Sequence, residues 1–225
     1  MHDLKLFVAP GSCARVPTVA LEEIGVAFDT ELVRTAANQQ KSPAFLKVNP
    51  KGKVPVLVID GSPMSENVAI LSWLHKTFPD AALFPAVTST QEEHKQIGDL
   101  AFFSGMVHPI VTRIAMPMKF LADSNEAFEK VRPKGAADMQ PVFQMIDDRL
   151  ANQPWWYGDT WSIIDAYLFW IWWRVDVVGF NSDAFPNIQD HAKRIQERPS
   201  VARAMAREAA NIDILNSEGL YVAPR

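Results

Sequence analysis

The most informative stretch of the sequence is residues 48–61, which read Val48-Asn49-Pro50-Lys51-Gly52-Lys53-Val54-Pro55-Val56-Leu57-Val58-Ile59-Asp60-Gly61. A turn rich in proline and glycine is followed by a short β-branched run and then by an Asp-Gly hairpin signal. Pro55 removes a backbone donor and pushes Val54 into an extended conformation. Spacing alone predicts a trans Val54-Pro55 bond, since only about 5–6% of X-Pro bonds in folded proteins are cis. A cis bond would instead turn the Val54 backbone towards an extended peptide.

The composition is that of an ordinary soluble globular protein. The 225 residues are 48% hydrophobic and 21% charged, and one large or two small domains are expected. The net charge of −4 and the lack of a basic run argue against nucleic acid as a partner. The most apolar stretch, residues 166–173, is too short to span a bilayer, so no membrane partner is expected. Because Cys13 is the only cysteine and the N-terminus lacks signal-peptide features, we expect a cytoplasmic protein.

The first third of the chain alternates strand and helix patterns. Residues 4–8 and 28–33 are predicted strands, and the helix between them is expected to be capped by Ser12. Such a strand–helix–strand unit implies parallel pairing with a right-handed crossover. The opening stretch then gives a third strand, which turns back into a short antiparallel strand at residues 63–64. Ser65 is predicted to cap the next helix, which completes a small mixed sheet covered by helices by about residue 80.

The rest of the chain is predicted to be helical after a linker. Thr90 and Glu93 have the spacing of a capping box, and Ser162 with Asp165 forms a second one. The helix that follows Asp165 is apolar on every side, so it is expected at the centre of the second domain. Prolines are expected to end or bend the longer helices, and these are Pro109, Pro117, Pro133 and Pro141.

Three segments resemble the cytosolic glutathione transferase family, closest to its bacterial beta-class-like members. They are residues 9–17, residues 42–55 with 65–71, and residues 158–167. The resemblance implies an α/β thioredoxin-like N-terminal domain followed by an all-α C-terminal domain. It assigns residues 1–80 to the glutathione-binding domain, 81–89 to a linker and 90–225 to the helical substrate-binding domain. It also implies a homodimer.

The resemblance further implies a binding site for glutathione as co-substrate. The cis-proline of the family falls on Pro55, so the backbone of Val54 would pair with the cysteinyl unit of glutathione. Glu66 falls where the family acid meets the γ-glutamyl amine. Asn67 stands where the family usually has serine beside the γ-glutamyl carboxylate, and its amide can still donate.

Further positions carry departures from the family pattern. Gln40 and Lys53 match positions that contact the glycine carboxylate, although several classes have histidine in place of Gln40. Thr18 stands where beta-class chains often have histidine. These departures leave the class of the protein open, but not the binding of glutathione. The histidines show no metal-ligand spacing, so no metal is expected.

A transferase of this family must stabilise the glutathione thiolate, because the free thiol has a pKa of about 8.5. Families use tyrosine, serine or cysteine near the first helix, and the tyrosines here, Tyr157, Tyr167 and Tyr221, are all in the second domain. Cys13 aligns with the beta-class cysteine, where the helix N-terminus would favour a thiolate. Such a thiolate would form a mixed disulfide with glutathione more naturally than donate to it. Ser12 is either a helix cap or a donor to the glutathione sulfur.

The first long helix supplies candidates for the rest of the site. His108 lies near the position of a beta-class active-site histidine, where it would hydrogen-bond a sulfur or act as a general base; otherwise it is structural. Arg113 would meet an anionic substrate or remain solvated. Apolar residues of this segment are expected to form the hydrophobic substrate pocket, and these are Phe103, Met106, Val107, Met116 and Phe120. The tryptophans of residues 170–173 are assigned to the core.

Three functions fit these residues. The leading hypothesis is conjugation of the glutathione thiolate to small hydrophobic electrophiles. The second is glutathione-dependent disulfide reduction, deglutathionylation or aryl-ether cleavage through Cys13. The third is a non-catalytic interaction module with a vestigial site, which the presence of Val54-Pro55 with Glu66 disfavours.

Overall fold

The chain forms two compact units in the computed structural model, which describes residues 2–121 and 124–224. Residues up to 83 form the first unit together with residues 198–223, and residues 84–197 form the second. The division expected from the sequence kept everything after residue 90 in one helical domain. Instead, the last helix belongs by its contacts to the first unit, where it packs on the first helix.

The first unit has the predicted thioredoxin-like architecture. Its elements are β1 (Leu4–Val8), α1 (Arg15–Ile24), β2 (Asp29–Leu32), α2 (Pro43–Val48), β3 (Val56–Ile59), β4 (Ser62–Ser65), α3 (Asn67–Thr77) and the last helix, α10 (Pro199–Ser217). The strands form a mixed sheet with the order β2-β1-β3-β4. Strands β1 and β2 are parallel, as the strand–helix–strand pattern predicts, while β3 is antiparallel to both β1 and β4.

The register of the sheet brings three separate segments to one edge. Phe7 near the end of β1 pairs with Val56 at the start of β3, and Val56 pairs with Ser65 at the end of β4. Because these pairs are antiparallel, the chain after β1, the chain before β3 and the chain after β4 all lie at the same end of the sheet. The predicted residues at positions 12–13, 54–55 and 66–67 therefore share one edge.

Buried apolar side chains fix this arrangement. Phe7, Val33, Phe45 and Val56 form a cluster, in which the rings of Phe7 and Phe45 meet edge to face at 5.7 Å. Helix α2 presents Phe45 to this cluster, and the hydroxyl of Ser42 caps the helix by accepting from the Phe45 N–H. Burial of these side chains supplies about 25 cal/mol for each Å² of apolar surface.

Two helix starts in the first unit differ from their predictions. Helix α1 begins at Arg15 with Ala14 at the cap position, so Ser12 lies in the preceding turn rather than at the cap. Helix α3 has Glu66, not Ser65, at its cap position, and Glu66 has a left-handed φ of 77°. Ser65 ends strand β4 instead.

The second unit is a helical bundle. Its helices are α4 (Thr90–Ala101), α5 (His108–Ala115), α6 (Ser124–Glu126), α7 (Arg132–Leu150), α8 (Ile163–Asp176) and α9 (Pro186–Gln196). A π-helical turn, Phe102–Val107, joins α4 to α5 without a break. The capping box of α4 is formed by Ser89 and Glu92, one position before the predicted pair. Helix α5 ends before Pro117, whereas α7 runs through Pro141.

Helix α8 is the buried centre of the second unit, as its apolar sequence predicts. Its cap is the predicted Ser162 with Asp165, and Asp165 is completely buried. The Asp165 carboxylate also accepts from the Trp156 N–H and lies 2.9 Å from the His191 ring, so its charge is fully hydrogen-bonded. Trp170 is buried here as predicted, whereas Trp172 and Trp173, assigned to the core with it, are only partly buried. Within residues 2–121 and 124–224, no helix has the length and apolar character needed to cross a bilayer.

Candidate functional site

The turn between β1 and α1 carries the sole cysteine. Cys13 is partly buried, and its thiol is not part of a disulfide. The Ser12 hydroxyl donates to the Ala9 carbonyl at 2.6 Å and accepts from the Ala14 N–H at 3.3 Å. Because its proton is already directed at Ala9, Ser12 would have to give up this bond before donating to a ligand sulfur. Its hydrogen bonds shape the turn.

Glu208, from α10, holds the start of the same turn. Its carboxylate accepts from the Gly11 N–H at 3.0 Å and from two nitrogens of Arg15 at 2.8 and 3.0 Å. The Arg15 side chain is only 1% exposed. Its two parallel hydrogen bonds to the carboxylate stabilise this buried ion pair, because both carboxylate oxygens accept. Sequence reasoning missed Glu208, because no local pattern links it to a turn 197 residues earlier.

Asn67 holds the other end of this turn. Its side-chain nitrogen donates to the carbonyl oxygen of Cys13 at 3.2 Å, and the residue is only 6% exposed. The resemblance implied an amide that donates to glutathione, whereas the structure directs this donor to the protein backbone. Thr18 is likewise used internally, since its buried hydroxyl donates to the Ala14 carbonyl at 2.8 Å.

Glu66 presents an acid at the same edge. Its side chain is 64% exposed and carries a carboxylate that accepts from the Lys51 ammonium at 2.7 Å. Lys51 also donates to the Ser65 hydroxyl at 3.1 Å. A positive φ is uncommon for a residue other than glycine, and such strained backbone positions cluster at ligand-binding sites. Lys51 is a charged neighbour that the sequence analysis did not single out, although it lies in the opening stretch.

The Val54-Pro55 bond is cis. This agrees with the resemblance and corrects the trans bond that spacing alone predicted. Pro55 is buried and Val54 is partly buried at the entrance to β3. The preceding turn is held by Asn49, whose amide donates to the Lys53 carbonyl at 2.7 Å and leaves the Lys53 side chain exposed.

Gln40 lies beside this turn through a close backbone approach. It belongs to a one-turn 3-10 helix, Gln39–Lys41, and is partly buried. Gly52 has a φ of 62°, and a Cβ atom added to it would lie 2.9 Å from the Gln40 carbonyl oxygen. The segments that carry Gln40 and Lys53 are therefore neighbours, as a shared ligand carboxylate would require.

In the second unit, the His108 ring is held by aromatic neighbours. Its Nδ1 lies 3.3 Å from the Tyr167 hydroxyl, and its ring meets that of Trp170 edge to face at 4.6 Å. His108 itself is partly buried and Tyr167 is buried. These contacts orient the ring, while its role in chemistry stays a prediction.

The predicted pocket residues do not form one wall. Phe103 and Val107 are fully buried, and the Phe103 ring packs against Trp156 at 5.0 Å, so these two belong to the core. Met106 and Phe120 are about half exposed, at 55% and 49%, whereas Met116 is partly buried. The π-helical turn explains part of this difference, because its wider turn changes which residues share a face.

Comparisons with known proteins agree with this geometry. The family model described as "Glutathione S-transferase, N-terminal domain" matches residues 11–77. The model described as "Glutathione S-transferase, C-terminal domain" matches residues 103–199. Together the two matched ranges include every predicted site residue.

Similar proteins extend over nearly the whole chain. Glutathione S-transferase GstA of Escherichia coli O157:H7 is 29% identical over 207 residues, which cover 91% of this chain and 98% of that protein. The structure of a bacterial beta-class glutathione S-transferase of Sphingomonas chungbukensis has a TM-score of 0.79 and 33% identity, covering 91% of this chain and 98% of its own. A sphingomonad glutathione S-transferase complexed with glutathione has the same TM-score and coverage at 30% identity.

Proposed function

Because the chain belongs to the glutathione S-transferase family, we propose that it binds glutathione and joins its sulfur to small hydrophobic electrophiles. The observation that carries this proposal is the shared edge of the sheet, where Glu66, the cis Val54-Pro55 bond and Cys13 lie at three adjacent chain segments. The structure complexed with glutathione supports the choice of ligand.

The charges of the site suit a tripeptide with two carboxylates and one ammonium. Glu66 is the acid for the γ-glutamyl ammonium, because its carboxylate is exposed and already accepts from a lysine ammonium. Gln40 and Lys53 are the expected contacts of the glycine carboxylate. The backbone of Val54 is the expected partner of the cysteinyl unit, and the N-terminus of α3 favours the γ-glutamyl carboxylate.

In the proposed reaction, the glutathione thiol loses its proton to solvent and the thiolate attacks an electrophilic carbon. A carbon–sulfur bond forms, and the leaving group departs with its electron pair. We place thiolate stabilisation at the turn that carries Ser12 and Cys13, with His108 as a further candidate for contact with sulfur. Met106, Met116 and Phe120 remain the candidates for apolar substrate contacts. A homodimer and a cytoplasmic location are parts of this proposal that rest on the family.

A second candidate is thiol–disulfide chemistry through Cys13, and the hydrogen bonds of Ser12 favour it. Because the Ser12 proton is directed at Ala9, Cys13 is the side chain of this turn best able to react. Its thiolate would attack the glutathione sulfur of a disulfide between glutathione and a substrate thiol, forming a mixed disulfide of Cys13 with glutathione and releasing the substrate thiolate. The thiolate of a second glutathione would then attack the mixed disulfide, restoring the Cys13 thiolate and releasing glutathione disulfide.

One experiment separates the two candidates. The protein is incubated with glutathione disulfide, its intact mass is measured, and conjugation to an aryl halide is assayed for wild type, Cys13→Ala and Ser12→Ala. Conjugation that survives in Cys13→Ala without an adduct in wild type supports the first candidate and contradicts the second. An adduct that Cys13→Ala abolishes supports the second. Failure of the wild type to bind immobilised glutathione would contradict both.

A further inference from the structure

Asn67 joins the start of α3 to the turn that carries the cysteine. Its amide nitrogen donates to the Cys13 carbonyl oxygen at 3.2 Å across 54 residues of sequence. The orientation of the amide is defined by this contact, because the flipped amide would place its own oxygen against another acceptor. The bond is partly buried, and Asn67 itself is only 6% exposed.

The other atom of the same amide has no protein partner. The Asn67 Oδ1 atom is buried, and no hydrogen bond to it is present within the part of the chain that the structure describes. A buried acceptor without a partner costs about 1–3 kcal/mol. Asn67 keeps the orientation in which its nitrogen donates to Cys13, although its oxygen is then left without a partner. The contact with the turn therefore determines the orientation of the Asn67 amide.

We propose that Asn67 is a positioning residue for Cys13. It fixes the carbonyl of Cys13 and thereby the direction of its thiol relative to the N–H groups that begin α1. The effect of Asn67 on catalysis rests on the proposed function, but its hydrogen bond to Cys13 is present in the protein without glutathione. A serine here would end too close to its own backbone to make the same bond, so the contact depends on the longer amide.

Alkylation of the free protein by iodoacetamide measures this effect directly. Cys13 is the only cysteine, so the alkylation rate reports on this thiol alone. The rate is measured from pH 5 to pH 10 for wild type, Asn67→Ser and the uncharged variant Asn67→Leu. We expect both variants to react about three- to tenfold more slowly at pH 7, with the pH–rate profile moved to higher pH, as the loss of one hydrogen bond would produce.

A matched control separates positioning from general loosening. Asn187 in the second unit donates its amide to the Asp147 carbonyl at the same distance of 3.2 Å, and also to the Asp147 carboxylate at 2.8 Å. Asn187→Ser should therefore lose at least as much hydrogen bonding while leaving the rate and the pH–rate profile of alkylation unchanged. If Asn67→Ser does not fold, Asn67→Leu, which keeps the approximate shape of the side chain and adds no charge, carries the test.

Two results would overturn the proposal. One is a wild-type rate and profile in the folded Asn67 variants, and the other is an equal change in Asn187→Ser. Neither depends on glutathione, so they are distinct from failure of the proposed function. That failure would appear as loss of wild-type binding to immobilised glutathione, while the alkylation of Cys13 still depended on Asn67.

Discussion

The ammonium of Lys51 lies 2.7 Å from the carboxylate of Glu66, and both side chains are more than half exposed. The pair therefore contributes little to folding, with a typical value of about 0–1 kcal/mol. Its significance is that the acid of the candidate site already accepts from an alkyl ammonium. A γ-glutamyl ammonium has the same chemistry as the lysine that it would join or displace.

We predict that Glu66→Gln weakens glutathione binding about tenfold, because a charge-assisted hydrogen bond to the γ-glutamyl ammonium is lost. The measurement is calorimetric titration with glutathione and with its des-amino analogue. Wild type should prefer glutathione, whereas Glu66→Gln should bind the two ligands alike. Glu31→Gln, which changes an exposed acid paired with Lys5, is the control and should keep the preference. An undiminished preference in Glu66→Gln would assign the ammonium to another group.

The sequence predicts the sheet well because its signals are local. The alternation of strands, the Asp60-Gly61 hairpin and the apolar centre of α8 each depend on neighbouring residues, and the structure confirms all three. The predicted cap of α4 is wrong by one residue, because Ser89 stands beside Thr90 and Glu92 beside Glu93. Ser89 with Glu92 fits the same pattern as the predicted pair one position later.

The sequence does not predict those contacts of the site whose partners lie far apart in the chain. Glu208 reaches Gly11 and Arg15 from the last helix, and a single acid in an amphipathic helix shows no sign of this role. The burial of Phe103 was missed for a different reason. Its helix contains a π-helical turn, and a pattern with 3.6 residues per turn cannot assign faces across it.

Gly52→Ala should disturb both folding and glutathione binding. The added methyl group would lie 2.9 Å from the Gln40 carbonyl oxygen, on a residue whose φ of 62° already disfavours a side chain. Gly61 is the matched control, because it has a φ of 83° and open space around its Cα. We expect Gly61→Ala to cost about 1 kcal/mol and Gly52→Ala about 1–2 kcal/mol more.

The two glycine variants are compared by urea unfolding and by glutathione titration. Because the Gly52 methyl group displaces the segment of Gln40, only Gly52→Ala should weaken glutathione binding, by about threefold or more. Equal stability and equal affinity in the two variants would show that the positive φ, and not the close approach, is what requires glycine at position 52.

Glu22 on α1 makes the stability of the first unit depend on pH. Its buried carboxylate accepts from Arg203 and Arg207 on α10. Burial acts to raise the pKa of Glu22, but the two arginine hydrogen bonds outweigh it and the net pKa lies below the usual 4.5. The stabilisation is therefore complete above the ordinary pKa of glutamate and is lost as the pH falls through the lower folded-state value.

We predict that Glu22→Gln lowers the free energy of unfolding by about 1–2 kcal/mol at pH 7, since its partners are partly exposed. The difference from wild type should shrink as the pH falls below 4.5 and through the lower folded-state pKa of Glu22, because the wild-type carboxyl group then becomes protonated. Urea unfolding at pH 7 and at a series of lower pH values measures this difference. Glu126→Gln, which changes an exposed pair with Lys130, should alter stability by less than about 0.5 kcal/mol. A deficit for Glu22→Gln that is independent of pH would contradict the assignment.

Gly135 permits the close packing of α7 on α5. A Cβ atom at this position would lie 2.9 Å from the Arg113 Cβ and 3.1 Å from a side-chain carbon of Ile114. Glycine normally weakens a helix by about 1 kcal/mol relative to alanine, so its presence here needs a packing reason. The contact with α5 supplies that reason, because a larger residue would push the two helices apart.

Gly135→Ala should therefore lower the melting temperature, although alanine is the better helix former. Overpacking of a tight contact costs about 1–3 kcal/mol, which exceeds the gain in helix propensity. Gly98, on the exposed side of α4, has no atom within 4 Å of an added Cβ, so Gly98→Ala should instead raise stability by up to about 1 kcal/mol. Thermal unfolding of both variants tests whether Gly135→Ala lowers the melting temperature and Gly98→Ala raises it. A stabilised Gly135→Ala protein would show that α5 and α7 can separate at no cost.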